Sequence, residues 1–281
     1  IDADLSDYFG SIPHAALLKR VARRVSDGSI LGLVKLFLRA PIVEDIEGKK
    51  RIQPNLRGAP QGGPLSPLAS NLYLNSLDHE VNSRPELNAR LVRYADDAVA
   101  MCHTQRQAEQ ALAAFHDLVG GLGLALHPEK TRIVDLRDGK EGFDFLGWHF
   151  RARMSGRLWE QRRIRRYYLH RWPSQRSMKR IREKVRLLTR RARCHADIRE
   201  VIADLNRVLR GWGTYFRTGN AAKKFNQLDS YVWWRLRRLL VKRYGRNLHA
   251  GRAEAWTRDF FVEAHGLHRL RGTVQYPTQK A

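Results

Sequence analysis

Leu91-Val92-Arg93-Tyr94-Ala95-Asp96-Asp97-Ala98-Val99-Ala100-Met101 is the stretch that decides the fold. Two short apolar runs, Leu91–Tyr94 and Ala98–Met101, enclose Ala95, Asp96 and Asp97. The pattern predicts a tight β-hairpin with two carboxylates at its tip. Adjacent carboxylates repel each other, and a half-buried pair needs compensation. A divalent cation supplies it: Mg²⁺ takes carboxylate oxygens and keeps positions free for substrate phosphates. A plain polar turn has the same composition, so the pair alone does not fix the chemistry.

Moving outward, Ile1-Asp2-Ala3-Asp4-Leu5 reads as a short strand. A strand lying beside the hairpin brings Asp4 to Asp96. Three carboxylates on one sheet edge can hold two metals that clamp the attacking and departing oxygens of a phosphoryl transfer. The residues equally allow Asp2, Asp4 and Asp7 merely to solvate an edge strand. Helices are expected after Ser11 and Pro13, over Gly28–Leu38, from Ser66-Pro67 onward, and from a Thr104 cap to the Gly120-Gly121 stop. Val43–Ile52 reads as a hairpin, Gly58–Pro67 as a loop, and Thr131–Leu136 and Phe143–Phe150 as strands. Beyond Arg151 three amphipathic helices follow, built on Met178-Ile181-Val185-Leu188, on Ile198 through Leu209, and on Leu228 through Leu240.

The 281 residues are 43% hydrophobic and 28% charged, which excludes a disordered chain and is enough to bury a core. The net charge of +24 makes a polyanion the expected partner, nucleic acid before membrane, and excludes a small-metabolite enzyme as the default. Residues 1–150 hold 18 Lys and Arg against 19 Asp and Glu, so the positive charge lies in the second half. Chemistry and polyanion grip are therefore expected to be divided between the halves. Cys102 and Cys194 form no CxxC pair, which excludes a disulfide framework or cysteine zinc site and fits a reducing compartment, the bacterial cytoplasm. No apolar run reaches membrane-spanning length and no signal peptide is visible, so no membrane partner is expected.

In order along the chain stand Asp4-Leu5-Ser6-Asp7-Tyr8-Phe9 with Ser11-Ile12-Pro13-His14; Arg57-Gly58-Ala59-Pro60-Gln61-Gly62-Gly63-Pro64-Leu65-Ser66-Pro67; Tyr94-Ala95-Asp96-Asp97; His127-Pro128-Glu129-Lys130-Thr131; and Phe145-Leu146-Gly147-Trp148. Five ordered blocks at these spacings resemble the palm of reverse transcriptases, those of bacterial group II introns in particular. Leu209-Arg210-Gly211-Trp212-Gly213-Thr214-Tyr215-Phe216 and Leu228-Asp229-Ser230-Tyr231-Val232-Trp233-Trp234-Arg235 are similar to the maturase-specific thumb of those proteins. Gly266-Leu267 and Leu270-Arg271-Gly272-Thr273 resemble their tail.

The resemblance implies an α+β fold, a palm of antiparallel sheet with packed helices followed by an α-helical thumb. The expected divisions are a palm at 1–150, a basic connection at 151–173, the maturase-specific helices at 174–246 and a basic tail at 247–281. It implies that Asp4, Asp96 and Asp97, with the Leu5 carbonyl, hold catalytic Mg²⁺, and that Lys130 neutralises or protonates the departing pyrophosphate. Phe9 would block a ribose 2′-hydroxyl, with Gln61, Gly62 and Tyr94 completing the nucleotide site; Phe9 also reads as a core residue beside Tyr8. Phe145, Leu146, Gly147 and Trp148 would support the primer end, or else form a core strand. Arg210, Trp212, Tyr215, Lys223, Lys224 and Arg235 are the candidate RNA contacts, since cations hold phosphates and aromatic faces stack on unpaired bases.

The implied function is RNA-directed DNA synthesis for a group II intron, with binding of the intron RNA to assist splicing and mobility. The implied partners are intron RNA, an RNA template with DNA primer, deoxynucleoside triphosphate and target DNA, and the sequence leaves a homodimer open. The rivals are an RNA-binding splicing factor with a vestigial polymerase site and a domesticated reverse transcriptase in phage defence. The chain opens on Ile1 inside a strand pattern, without the fingers blocks that precede Asp4 in this family, and is expected to be a fragment. The family's His- and Cys-bearing nuclease domain has no counterpart in it. Gly10 stands where many members of the family have an acid.

Overall fold

Residues 1–46, 49–59, 63, 65–245, 248–249 and 251–276 are described by the computed structural model. They form two compact units, Ile1–Asp135 and Leu136–Ala281.

In the first unit, β1 (Asp2–Ala3) leads into α1 (Tyr8–Ser11), α2 (His14–Val21) and α3 (Gly28–Arg39). Asp27 starts α3 by accepting the Ser29 and Ile30 N–H groups, which would otherwise lack partners. Strands β2 (Ile42–Ile46) and β3 (Lys49–Gln53) make the expected hairpin, separate from the main sheet. The helix α4 (Ser66–Asn82) carries Pro67 in its first turn, where a missing N–H costs nothing. The hairpin read from Leu91–Met101 is β4 (Ala89–Tyr94) with β5 (Asp97–Cys102), and α5 (Gln105–Gly121) follows under a complete Thr104–Gln107 capping box.

The sheet order is β1-β5-β4, all antiparallel, so β5 is central. Its Ala98, Val99 and Ala100 are all buried, which leaves little room for the polar alternation of a half-exposed strand. Tyr8, Ile12, Leu17, Tyr73, Leu74 and Phe115 fill the core beside it. Thr131–Leu136 is not the strand that its β-branched residues suggest. Only Arg132 pairs there, exchanging two backbone bonds with Asp2, because β1 is two residues long and offers nothing further to pair with.

The second unit begins with a three-stranded antiparallel meander of β6 (Gly142–Phe145), β7 (Trp148–Met154) and β8 (Tyr167–Pro173), with α6 (Gly156–Arg162) between the last two. Helices α7 (Gln175–Leu188), α8 (Ile198–Phe216) and α9 (Ala222–Tyr244) follow the apolar spacings read from the sequence. Ile181, Val185, Val201, Leu205, Leu209, Leu228 and Leu236 make their common core.

Two expectations differ from the structure here. The division at residue 150 cuts through β7, and residues 151–173 are strand, helix and strand rather than a connection. Their cations masked a period-2 pattern that runs through Ala152. The expected tail from 247 folds back instead: Trp256, Phe261, Leu267 and Leu270 are buried in the helical core. Asp229 on α9 accepts the Leu270 and Arg271 N–H groups at 3.1 and 2.9 Å, and Asn206 on α8 bonds to Gly266 and His268. Burial raises the Asp229 carboxyl above its ordinary range, while those two N–H groups work against the rise.

Candidate functional site

Tyr94 pairs with Asp97, so the hairpin loop is just Ala95 and Asp96. Two-residue loops need positive φ, and Ala95 adopts φ 54° although it is not glycine. That conformation costs about 1 kcal/mol for an L-residue. Arg93 holds it in place. Its guanidinium donates from Nε and Nη2 to the two Asp78 carboxylate oxygens at 2.8 and 2.6 Å, and from Nη1 to the Ala95 carbonyl at 2.8 Å. A further bond reaches Asn71 at 3.1 Å, and the Arg93 side chain is only 6% exposed. The carboxylate-bearing turn is thus bolted to α4. Sequence reasoning missed Arg93; its one signal was a cation inside an apolar strand.

The β1–β5 register pairs Asp2 with Val99 and Ala3 with Ala98. Carried one residue further, it sets Asp4 opposite Asp97. The segment 127–131 is fastened to the same point, His127 N–H donating to the Asp4 carbonyl at 2.8 Å. This brings the Lys130 ammonium to 2.6 Å from Asp4 Oδ2. The Lys130 pKa is raised, first by the hydrogen bond and charge of Asp4 and then by the charges of Asp96 and Asp97. One cation therefore senses all three carboxylates. The buried Tyr8 has its hydroxyl pushed up to about 12, by burial first and with a contribution from the Asp96 charge.

Among the described residues, no three His, Cys, Asp or Glu side chains form a ready-made metal-ligand set. The β1–β5 register continued past β1 sets Asp4 opposite Asp97, Asp96 stands in the adjoining turn, and a lysine is seated on Asp4. Their donor chemistry suits Mg²⁺: hard carboxylate oxygens, few enough to leave positions for substrate phosphate. Leu5 is buried and bridges to Leu126.

Phe9 lies half-buried on α1, its ring centroid 5.4 Å from that of Tyr8. Its carbonyl accepts the Ala59 N–H at 2.7 Å, and Gly58 N–H donates to Ile12 at 2.8 Å. Gly58 has φ 89°, and a Cβ there would lie 2.5 Å from the Phe9 carbonyl oxygen. Glycine is needed for this close approach. The loop that leads to Gln61 and Gly62 is clamped to the backbone of Phe9, while Gln61 and Gly62 themselves lie outside the described residues. A Cβ at Gly10 would meet only the Asp7 carboxylate, the movable end of an exposed side chain, so nothing in the structure explains the glycine there. Tyr94 is exposed at the end of β4.

In the second unit, Phe145 pairs with Trp148 around a Leu146-Gly147 turn with φ 49° and 78°. The Tyr215 hydroxyl donates to the Leu146 carbonyl at 2.8 Å. Trp148, expected to support a primer, is 7% exposed and packs on Phe216 in the core. Trp212, expected to meet RNA, is turned against Phe216 and Phe225. Both indoles are large apolar groups beside a helical core, and burial wins over display. Arg210, Tyr215 and Lys223 are exposed and Lys224 partly so; Arg235 is part-buried against Thr189. The net charge of +24 resides entirely in this unit.

Residues 1–150 match the family described as reverse transcriptase (RNA-dependent DNA polymerase), and residues 178–256 match the group II intron, maturase-specific domain. The chain is 31% identical over 195 residues to Protein YkfC of Escherichia coli, covering 58% of this chain and 49% of that protein. It is 22% identical over 316 aligned residues to an uncharacterized 91 kDa protein in cob intron of Schizosaccharomyces pombe, covering 89% and 38%. It is 33% identical over 78 residues to the group II intron-encoded protein LtrA of Lactococcus lactis subsp. cremoris, covering 28% and 12%. The chain spans about half or less of the length of these relatives.

Proposed function

The chain belongs to the reverse transcriptase (RNA-dependent DNA polymerase) family, and we propose that it carries the catalytic centre of an RNA-directed DNA polymerase of a group II intron, with a second unit that holds intron RNA. The observation that carries this reading is the β1–β5 register, which continued one residue sets Asp4 opposite Asp97 beside the Asp96 turn, with the charges of all three acids acting on Lys130.

Asp4, Asp96 and Asp97 would hold the divalent cations. When bound, Mg²⁺ supplies Lewis-acid activation of the primer hydroxyl and neutralises charge on the triphosphate. The reaction joins a primer 3′-oxygen to the α-phosphorus of a deoxynucleoside triphosphate. The bond from that phosphorus to the pyrophosphate oxygen breaks, and the hydroxyl proton leaves to solvent. Lys130 would give its proton to the departing pyrophosphate and recover one from water. Arg93 keeps the acidic turn in register. Phe9 would sit beneath the sugar and exclude a 2′-hydroxyl, and the Leu146-Gly147 turn would support the primer end.

The basic second unit supports the splicing part of the reading, since its cations would neutralise backbone phosphates of a folded RNA. Target DNA and a second copy of the chain are further proposed partners. The proposed compartment is the bacterial cytoplasm, in keeping with two free cysteines. No helix among the described residues is long and apolar enough to cross a membrane.

The test is RNA-templated primer extension by the native gene product and its Asp96→Ala and Asp97→Asn variants. Loss of extension by at least about 10²-fold, with RNA binding retained, is expected for removal of a metal-holding carboxylate. Unchanged extension in both variants would remove the metal site and the polymerase reading with it.

A further inference from the structure

A cleft of about 140 Å³ lies where the end of α7, the 3₁₀ turn Arg191–Arg193 and α9 meet. Thr189, Arg191, Arg235, Arg238, Leu239 and Lys242 line it. Four of the six are cations and none is acidic. Among the described residues none of these four cations pairs with a carboxylate.

Arg235 is held by neutral acceptors. Its Nε donates to Thr189 Oγ1 at 2.8 Å, and its Nη2 to the Thr189 and Arg186 carbonyls at 2.8 and 3.2 Å. Its orientation is fixed while its charge stays uncompensated. Arg238 and Lys242, four positions apart on the same face of α9, add exposed cations at the rim. Four like charges around one cleft repel each other, and an anion reverses that cost.

What lies beside the cleft narrows the anion's identity. The Arg238 guanidinium sits 5.2 Å from the Trp234 ring centroid. Trp234 is 45% exposed and stacks at 29° on Tyr231, which Arg182 covers in turn. A 45% exposed indole that carries the Arg238 guanidinium, one helical turn from a phosphate-sized cationic cleft, matches the repeat of a nucleic acid strand with an unpaired base. A duplex hides the faces of its bases.

We propose that this cleft binds a backbone phosphodiester of single-stranded nucleic acid, with a neighbouring base stacked on Trp234. The proposal rests on the reading of the second unit as an RNA-holding body and assigns it a defined point of contact.

The test is fluorescence anisotropy with the native gene product. The probes are a labelled single-stranded RNA, a DNA of the same sequence, and a blunt duplex. The substituted side chains are exposed, and thermal melts check that each variant folds. Arg238→Glu with Lys242→Glu should weaken single-strand binding by at least about tenfold and make the log–log salt dependence shallower by about one to two phosphates. Trp234→Ala should weaken single-strand binding by at least about fivefold and leave duplex binding unchanged. A loss on RNA alone supports the site and assigns it to RNA, and equal losses on RNA and DNA support a site that takes either single strand. A parent protein that binds RNA with steep salt dependence, beside a double variant with the same affinity and slope, overturns the cleft and leaves the RNA-holding reading intact. Equal losses on single strand and duplex after Trp234→Ala overturn the stacking. A parent that binds none of the probes ends both readings.

Discussion

Lys130 Nζ and Asp4 Oδ2 stand 2.6 Å apart although 126 positions separate the two residues. The contact joins the first strand to the segment that follows α5, and it places a protonated amine among three carboxylates. Because those carboxylates raise its pKa, Lys130 stays charged through neutral pH and loses its proton only well into the alkaline range. Lys130→Ala should lower kcat for single-nucleotide incorporation by about 10²-fold, with little change in KM. The parent should lose activity as pH rises through the Lys130 pKa, and the variant should lack that alkaline limb. Identical pH profiles would end the role of Lys130 as proton donor.

Arg93 tests whether the turn's geometry, and not only its carboxylates, matters. Arg93→Ala leaves Asp78 without its partner and the Ala95 carbonyl without its donor, which should cost on the order of 3 kcal/mol in denaturant unfolding. Arg93→Lys keeps the charge but cannot reproduce the fork that grips Asp78 and Ala95 together. It should retain most of the stability, lower kcat, and leave KM for nucleotide near the parent value. A parent-like kcat in Arg93→Lys would make Arg93 purely structural.

Phe9 can be probed through sugar selection. Its backbone is pinned by Ala59 and by the close approach of Gly58, so shortening the side chain should open space without moving the chain. Phe9→Val should narrow the preference for deoxynucleotides over ribonucleotides by at least about tenfold, the scale of several methyl-sized contacts. Competitive incorporation of the two nucleotide types measures it, and equal discrimination by variant and parent counts against the gate.

Much of this was legible in local pattern. The hairpin, the capped helices and the apolar faces of α7, α8 and α9 all follow from periodicity and capping residues that act within one element. The acidic turn was legible because two adjacent carboxylates stand between apolar runs. What escaped was non-local. Arg93 depends on Asp78, fifteen positions earlier, and on a strained carbonyl that no sequence pattern announces. The C-terminal stretch reads as a basic tail because its anchors, Trp256, Phe261 and Leu270, are spaced irregularly and are held by Asp229 and Asn206 on other helices. Trp148 was assigned to the primer by the resemblance, with a core strand as the alternative, and Trp212 to RNA by residue type, whereas their neighbours consume both in packing. Trp234 on α9, by contrast, stays 45% exposed.

Leu146 offers a case where stability and function should move in opposite directions. The two-residue turn between Phe145 and Trp148 requires positive φ at both positions, and Gly147 meets that demand freely. Leu146 meets it at φ 49°, a conformation that disfavours a branched aliphatic side chain by about 1 kcal/mol. Asparagine tolerates this region far better, and the bond from the Tyr215 hydroxyl to the Leu146 carbonyl survives the change. Leu146→Asn should therefore raise Tm by about 2–4 °C. Gly147→Ala should lower it, because its Cβ would stand 2.8 Å from Ser177 Oγ at φ 78°. Strain of this kind persists where the side chain is needed for something other than folding. If Leu146 supports the primer, the stabilised Leu146→Asn variant should show a higher KM for primer–template. A higher Tm with unchanged KM would remove Leu146 from the primer site and leave the turn a merely tolerated defect.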